Sequence, residues 1–103
     1  MVKETGWRRA TGMLLALHDI NKDYPERLRF KFTSARLPTK TEWMLIDRFK
    51  GNKLSDDFDS LQKGFYWYRT LRSENTSKDE LIKKGWLKTS DITFAKKISK
   101  YLN

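Results

Sequence analysis

The segment from residue 56 to residue 72, DDFDSLQKGFYWYRTLR, most constrains the fold because it predicts one long amphipathic helix. Its apolar side chains recur at steps of three and four residues, which places them on one side of a helix with about 3.6 residues per turn. They are Phe58, Leu61, Phe65, Tyr68 and Leu71. Ser55 can cap the first turn, and the carboxylates of Asp56 and Asp57 suit the positive end of the helix dipole. We therefore expect this stripe to face the core and the other segments to pack around it.

The ring of Tyr66 lies outside that stripe. Helical rotation places it on the opposite side, close to Lys63 and Arg69. An aromatic ring among cations can stack on an unpaired base while the cations contact phosphates, which is one interpretation of this pattern. The other interpretation is burial of the ring against a second layer of protein. Trp67, at the margin of the stripe, is the second aromatic candidate.

Two helices are predicted before this segment. The first covers about residues 4–22 and ends before Pro25, because a residue that precedes proline disfavours helical geometry. The second begins with a capping box, in which the side chains of Thr39 and Glu42 bind each other's backbone N–H groups. Gly51 supplies a left-handed stop for this helix.

Two more helices are predicted in the C-terminal part, joined by a glycine turn. Ser77 and Glu80 form a second capping box, and Gly85 ends the short helix that follows. Ser90 can cap a last helix that runs to about Leu102.

Residues 78–102 therefore have the outline of a helix-turn-helix, although two features depart from that motif. Leu81 stands where close crossing requires a small residue, and the last helix lacks the Arg, Asn and Gln side chains that read base edges. We expect a helix-turn-helix-like hairpin with a lysine-rich outer face. The polar residues 73–77 before it predict a flexible internal loop.

Residues 27–33 fit two interpretations. Apolar and basic residues alternate there, as in a half-buried strand, but the same letters also fit a helix that begins after Pro25. In both cases, cationic side chains form one basic patch. They are Arg27, Arg29, Lys31 and Arg36.

The composition fits a single domain. A chain of 103 residues with 14% aromatic residues and no Cys can form one core, which must be stabilised by packing. We predict a mostly α, compact single-domain bundle of about five helices over residues 1–103. A short strand or hairpin at residues 27–33 would make the fold α+β. The absence of Cys fits a reducing cytoplasm, and no apolar run is long enough to span a membrane.

The sequence predicts a protein that binds rather than catalyses. His18 is the only histidine, and no phosphate-binding glycine loop is present. Asp56, Asp57 and Asp59 could bind a divalent cation, but neighbouring helical positions point in different directions. We therefore expect no metal and no cofactor, and a metal-assisted nuclease is the one enzymatic alternative.

Net charge +9 favours a polyanionic partner, and nucleic acid is the partner class that we expect first. Aromatic stacking favours RNA or single-stranded DNA over a duplex. The predicted contacts are the basic patch with Arg27, Arg29, Lys31 and Arg36, the mixed site with Lys63, Tyr66 and Arg69, and a second phosphate track with Lys96, Lys97 and Lys100.

The alternative is a protein–protein interaction module that docks on an acidic partner. A small inhibitor or adaptor of phage type would have this size, and Met44, Tyr66 and Trp67 would make its contacts. The sequence predicts neither an oligomeric state nor a choice between RNA and DNA.

Overall fold

The computed structural model describes residues 5–23, 25, 35–51 and 53–102. These residues form five α-helices and no strand, which confirms the mostly α, single-domain bundle. The helices are α1 (Gly6–Asn21), α2 (Lys40–Lys50), α3 (Phe58–Ser73), α4 (Lys78–Lys83) and α5 (Thr89–Leu102), and a 3-10 turn lies at Leu54–Asp56. Residues 27–33 lie outside the described residues, so both interpretations of that segment stay predictions.

The central helix is α1, and the expectation that the chain packs around α3 is wrong. Both α3 and α5 pack on α1, while α2 packs on α5 and on the 3-10 turn. Every residue from Ala10 to Leu17 is buried. The α1 side chains of this stretch are small or apolar on every side of the helix, as is typical of a buried helix. In contrast, α3 buries only one side.

The α1 and α3 backbones come close together at Gly64. A Cβ atom at this position would lie 2.5 Å from the Cβ of Ala10 and 2.7 Å from the carbonyl oxygen of Trp7. The Thr11 hydroxyl donates to the Gly64 carbonyl oxygen at 3.1 Å and to that of Trp7 at 2.8 Å. Gly64 therefore fixes the distance between the two helices, and with it the position of every side chain on α3.

The predicted ends of α2 and the predicted C-terminal end of α4 are confirmed. At the start of α4, Ser77 Oγ accepts from the Glu80 N–H at 3.3 Å, which is one of the two bonds of the predicted capping box. Thr39 Oγ1 accepts from the Glu42 N–H at 3.2 Å, and Glu42 Oε1 accepts from the Thr39 N–H at 2.7 Å. Gly51 ends α2 with a φ of 73°. Gly85 has a φ of 83°, and the Trp86 N–H donates to the Leu81 carbonyl oxygen at 2.9 Å, which is the expected Schellman end.

Two predicted caps are wrong. Asp57, not Ser55, caps α3, since its carboxylate accepts from the Ser60 N–H at 3.1 Å. The Ser55 N–H instead donates to the buried carboxylate of Asp47 at 2.6 Å. Ser90 lies inside α5, which begins one residue earlier at Thr89.

Phe58 was expected in the core but is 61% exposed. It is the first residue of α3, and Gly6, the first residue of α1, already lies beside Ser60. Helix α1 therefore begins too late to cover Phe58. Leu61, Tyr68 and Leu71 are buried as expected, and Phe65 is partly buried against the core.

The C-terminal hairpin has the predicted order of short helix, glycine turn and longer helix. Helix α5 packs on α1 and α2 more than on α4. A helix-turn-helix function for residues 78–102 stays a prediction, as does flexibility of residues 73–77, where α3 continues through Ser73 and Asn75 adopts a φ of 54°.

Candidate functional site

Tyr66 projects from the side of α3 that faces away from α1, and its side chain is 62% exposed. Its position follows from Gly64 and Tyr68, which hold the opposite side of α3 in the core. Thr70 Oγ1 donates to the Tyr66 carbonyl oxygen at 3.0 Å, within the helix. The exposure agrees with the helical rotation calculated from sequence, and it rules out the interpretation in which the ring is buried by the described part of the chain.

A wide cavity of about 580 Å³ opens beside this ring, and we call it the Tyr66 pocket. It is lined by His18, Ala35, Tyr66, Arg69, Thr70, Arg72 and Ser73. Two of these side chains are guanidinium groups, and no carboxylate is among the described residues that line it. The guanidinium carbon of Arg69 lies 5.9 Å from the Phe65 ring centroid, within cation–π range. The pocket therefore combines one exposed ring, two cations and three hydroxyl groups.

One wall of the Tyr66 pocket contains His18, whose uncharged ring is paired with the buried Tyr68. The His18 Nδ1 and the Tyr68 hydroxyl oxygen are 2.6 Å apart. Burial, and then the positive charges of Arg72 and Lys22, lower the pKa of His18 to about 4, although Asp19 opposes this shift. Burial raises the pKa of Tyr68 to about 12. At neutral pH the tyrosine therefore keeps its proton and the imidazole is uncharged, so this wall adds no positive charge.

Three tryptophans form a cluster next to Tyr66, and we call it the tryptophan cluster. The ring centroids of Trp7 and Trp67 are 5.9 Å apart, those of Trp67 and Trp86 are 5.5 Å apart, and those of Trp7 and Trp86 are 5.8 Å apart. Tyr66 meets the edge of Trp67 at 5.8 Å. The cluster joins α1, α3 and the turn after α4, and Trp67 remains 36% exposed.

The cluster was missed from sequence, apart from the marginal position of Trp67. The sequence signal was the high tryptophan content, four residues in 103. Their meeting depends on how α1, α3 and the Gly85 turn pack, which local periodicity does not encode.

The described members of the predicted basic groups lie on three parts of the fold: before α2, on α3 and on α5. Arg27, Arg29 and Lys31 lie outside the described residues. Arg36 bonds to the Glu42 carboxylate and the Leu37 carbonyl oxygen, at 3.4 and 3.1 Å, so part of its charge is engaged by the α2 cap.

Lys63 is exposed on α3, one turn before Tyr66, and Arg69 reaches the Tyr66 pocket. Lys96 and Lys97 are exposed on α5, and neither lines the pocket as described. Lys100 belongs to α5, but its side chain is outside the described part of the structure. Arg72, His18 and Ser73 are lining residues that the sequence prediction did not include. Arg72 and Ser73 follow Tyr66 and Arg69 at helical spacing on the same side of α3, so periodicity could have found them, whereas His18 comes from α1 and lines the pocket only through helix packing.

Asp57 has a structural role in the acidic cluster. Its carboxylate binds the Ser60 hydroxyl at 2.6 Å in addition to the Ser60 N–H, and these hydrogen bonds lower the pKa of Asp57. Within residues 5–23, 35–51 and 53–102, no group of three or more His, Asp or Glu side chains could hold a metal ion.

The comparisons with known proteins give no relative for this chain: no family model, no curated protein and no solved structure matches it. In the described part of the chain, no helix is long and apolar enough to cross a membrane.

Proposed function

We propose that this protein binds single-stranded nucleic acid, RNA or DNA, without catalysing a reaction. The observation that carries the proposal is the Tyr66 pocket, where a 62% exposed ring stands beside Arg69 and Arg72 at the mouth of a cavity of about 580 Å³. Exposed aromatic rings flanked by cations are the usual means by which proteins bind unpaired bases and their phosphates.

The two parts of the pocket would contact different parts of the ligand. A base would stack on the ring of Tyr66, and its flanking phosphates would contact the guanidinium groups of Arg69 and Arg72. Thr70 and Ser73 would offer hydroxyl groups to the sugar or to the base edge. Stacking needs an unpaired base, so this arrangement favours single strands over duplex DNA.

The net charge of +9 supports the same ligand class from a distance. A positive field accelerates encounter with a polyanion and makes binding weaken as salt rises. The basic residues 27, 29, 31 and 36 and the α5 lysines stay proposed phosphate contacts. The cytoplasmic location expected from the cysteine-free sequence stays a prediction as well.

The experiment compares Tyr66→Ala with Phe58→Ala, an exceptionally close control. Both rings lie on α3 and are exposed to nearly the same extent, 62% and 61%, but Phe58 does not line the Tyr66 pocket. We expect Tyr66→Ala to weaken binding of a single-stranded RNA or DNA oligonucleotide by about 1 to 3 kcal/mol, and Phe58→Ala to leave it unchanged. Fluorescence anisotropy with nucleic-acid-free protein measures both.

Equal affinities for wild type and Tyr66→Ala would contradict the proposal, as would tighter binding of duplex than of single strands. Thermal unfolding is the internal check. Because Tyr66 is exposed, its replacement should change stability by less than about 1 kcal/mol, so a loss of binding cannot be attributed to unfolding.

A protein–protein interaction module is the second candidate, favoured by one specific observation. Met44 is 51% exposed on α2 and borders a separate cavity of about 340 Å³. Exposed methionine and aromatic side chains are enriched in protein interfaces. An acidic protein partner would bind through Met44 and would retain affinity at salt concentrations that release nucleic acid.

A further inference from the structure

A second cavity lies beside the tryptophan cluster and has no described lining residue in common with the Tyr66 pocket. Its volume is about 80 Å³, and we call it the Arg8 pocket. Among the described residues, its charged lining is Arg8, Arg9, Lys50, Lys88 and Asp91, so four described cations face one described carboxylate. Such an excess of positive charge around a small cavity is a specific electrostatic preference for a compact anion.

The guanidinium group of Arg8 is held in place before any ligand arrives. Its central carbon lies 4.4 Å from the centroid of the Trp86 ring, and Nη2 donates to the Gly85 carbonyl oxygen at 3.4 Å. An arginine stacked on an aromatic face loses little further freedom when it binds, and it has five N–H groups in a fixed plane. Arg8 can therefore donate to an anion while it keeps its contacts with the protein.

Among the described lining residues, Asp91 is the one whose charge opposes an anion, and Lys50 offsets it. The Lys50 Nζ lies 3.5 Å from Asp91 Oδ1 and 5.0 Å from the Phe94 ring centroid. This ion pair is partly buried and bridges the end of α2 to the start of α5. With Asp91 balanced by Lys50, the guanidinium group of Arg8, held over the Trp86 ring, is the fixed cation of the pocket, and Arg9 and Lys88 also line it.

We propose that the Arg8 pocket binds a single phosphate group. A cavity of about 80 Å³ is far below the roughly 300 to 1,000 Å³ of pockets that enclose a whole small molecule, so it suits one compact group rather than a nucleoside. Guanidinium groups are the side chains best matched to phosphate oxygens, because they form paired, charge-assisted hydrogen bonds.

The position of the Arg8 pocket indicates which phosphate it takes. Trp86 belongs both to this pocket and to the tryptophan cluster, and Trp67 of that cluster contacts Tyr66. Aromatic rings therefore link the Arg8 pocket to the Tyr66 pocket. A nucleic-acid strand bound at Tyr66 would place its terminal phosphate in the Arg8 pocket. The identification of this phosphate as a strand end rests on the proposed function, whereas the phosphate site itself does not.

The test compares two double variants that remove the same charge. Arg9→Gln with Lys88→Gln changes two exposed side chains of the pocket, and Lys83→Gln with Lys84→Gln changes two exposed lysines nearby that do not line it. The probes are inorganic phosphate and one short oligonucleotide prepared with a 5′-phosphate, a 3′-phosphate or hydroxyl ends. Thermal shift measures the inorganic ion, and anisotropy measures the oligonucleotides.

We expect millimolar inorganic phosphate to raise the melting temperature of wild type and of the control, but not of the Arg9 and Lys88 variant. We also expect one terminally phosphorylated oligonucleotide to bind about tenfold tighter than the hydroxyl form, and this ratio to fall to about one in that variant. If both double variants respond to phosphate as wild type does, the pocket is not a phosphate site.

The outcomes separate this inference from the proposed function. A phosphate response that depends on Arg9 and Lys88 while Tyr66→Ala binds oligonucleotides normally would retain the Arg8 pocket and overturn single-strand binding at Tyr66. If inorganic phosphate raises the melting temperature but a terminal phosphate does not change the affinity for the oligonucleotide, the Arg8 pocket is retained as a phosphate site. The strand end is then overturned as the source of that phosphate.

Discussion

His18 is the residue where burial has its clearest chemical effect. The imidazole is held against the Tyr68 hydroxyl at 2.6 Å, and burial together with Arg72 lowers its pKa to about 4 from an ordinary value of 6.5. The unfolded chain therefore binds a proton between pH 4 and 6.5 that the folded protein does not bind. Protonation of His18 favours unfolding across this interval.

This difference predicts that stability falls as the medium is acidified. Above pH 7 the imidazole is neutral in both states, so His18 contributes no pH dependence. Between pH 7.5 and 5.0, protonation of His18 should decrease the free energy of unfolding by about 1 kcal/mol. This value includes a reduction because the His18 side chain is partly exposed and its charge is screened by solvent. Urea unfolding at the two pH values measures the decrease.

His18→Gln is the control for this titration, because glutamine carries no ionisable group. The variant should lose the part of the pH dependence that belongs to His18, whatever its stability at pH 7.5. An identical decrease in wild type and variant would show that other groups are responsible.

The crossing of α1 and α3 is the element-scale feature on which the candidate site depends. Gly64 brings the two backbones together, and the same helix presents Tyr66 two residues later on its opposite side. Because of this crossing, Trp7 of α1 reaches the tryptophan cluster and His18 of α1 reaches the Tyr66 pocket. A wider separation of the helices would disturb both.

Gly64→Ala should therefore destabilise the protein, even though alanine favours a helix interior over glycine by about 1 kcal/mol. The added Cβ would lie 2.5 Å from the Cβ of Ala10, so the helices must separate, and we expect a net loss of about 1 to 3 kcal/mol. Gln62→Ala, at an exposed position of α3, should change stability by less than about 0.5 kcal/mol. Unfolding in urea measures both, and an unchanged or stabilised Gly64→Ala variant would contradict the close crossing.

The elements could be predicted from sequence where the signal is local. The Thr39 and Glu42 box, the stop at Gly51 and the turn at Gly85 each depend on a few neighbouring residues, and all three are confirmed. The predicted burial of Phe58 was wrong, because periodicity assigns a residue to one side of a helix but does not show how far the partner helix extends.

The candidate site was predictable only in part, for the same reason. The exposure of Tyr66 follows from rotation within one helix. His18 and the tryptophan cluster involve contacts between segments distant in sequence, which are set by tertiary packing.

At the scale of the whole molecule, the described positive charge is spread over several helices rather than collected on one. The Tyr66 pocket uses α3 arginines, the Arg8 pocket uses α1 and residues near the ends of α2 and α4, and Lys96 and Lys97 lie on α5. Helix α1 packs against both α3 and α5. Ligand length should therefore decide how many of these groups take part.

We expect Lys96→Gln with Lys97→Gln to leave the affinity for a four-nucleotide strand unchanged, because neither lysine lines the Tyr66 pocket or the Arg8 pocket. For a strand of about 16 nucleotides, the slope of log affinity against log salt should decrease by up to about 1.4, or about 0.7 for each lost phosphate contact. Arg69→Gln should lower the slope for both lengths. An equal slope in wild type and the α5 variant would show that these lysines are not a phosphate track.

The tryptophan cluster also gives the protein an optical signature. The ring centroids of three of the four indoles lie within 6 Å of one another, so their electronic transitions couple. The fourth indole, Trp43, is buried in the core and is not part of this cluster. Near-ultraviolet circular dichroism should therefore contain a split band that arises from α1, α3 and the Gly85 turn held together. A base that stacks at Tyr66 or an anion that shifts Arg8 would alter this band and quench the indole emission, so the unlabelled protein reports its own occupancy.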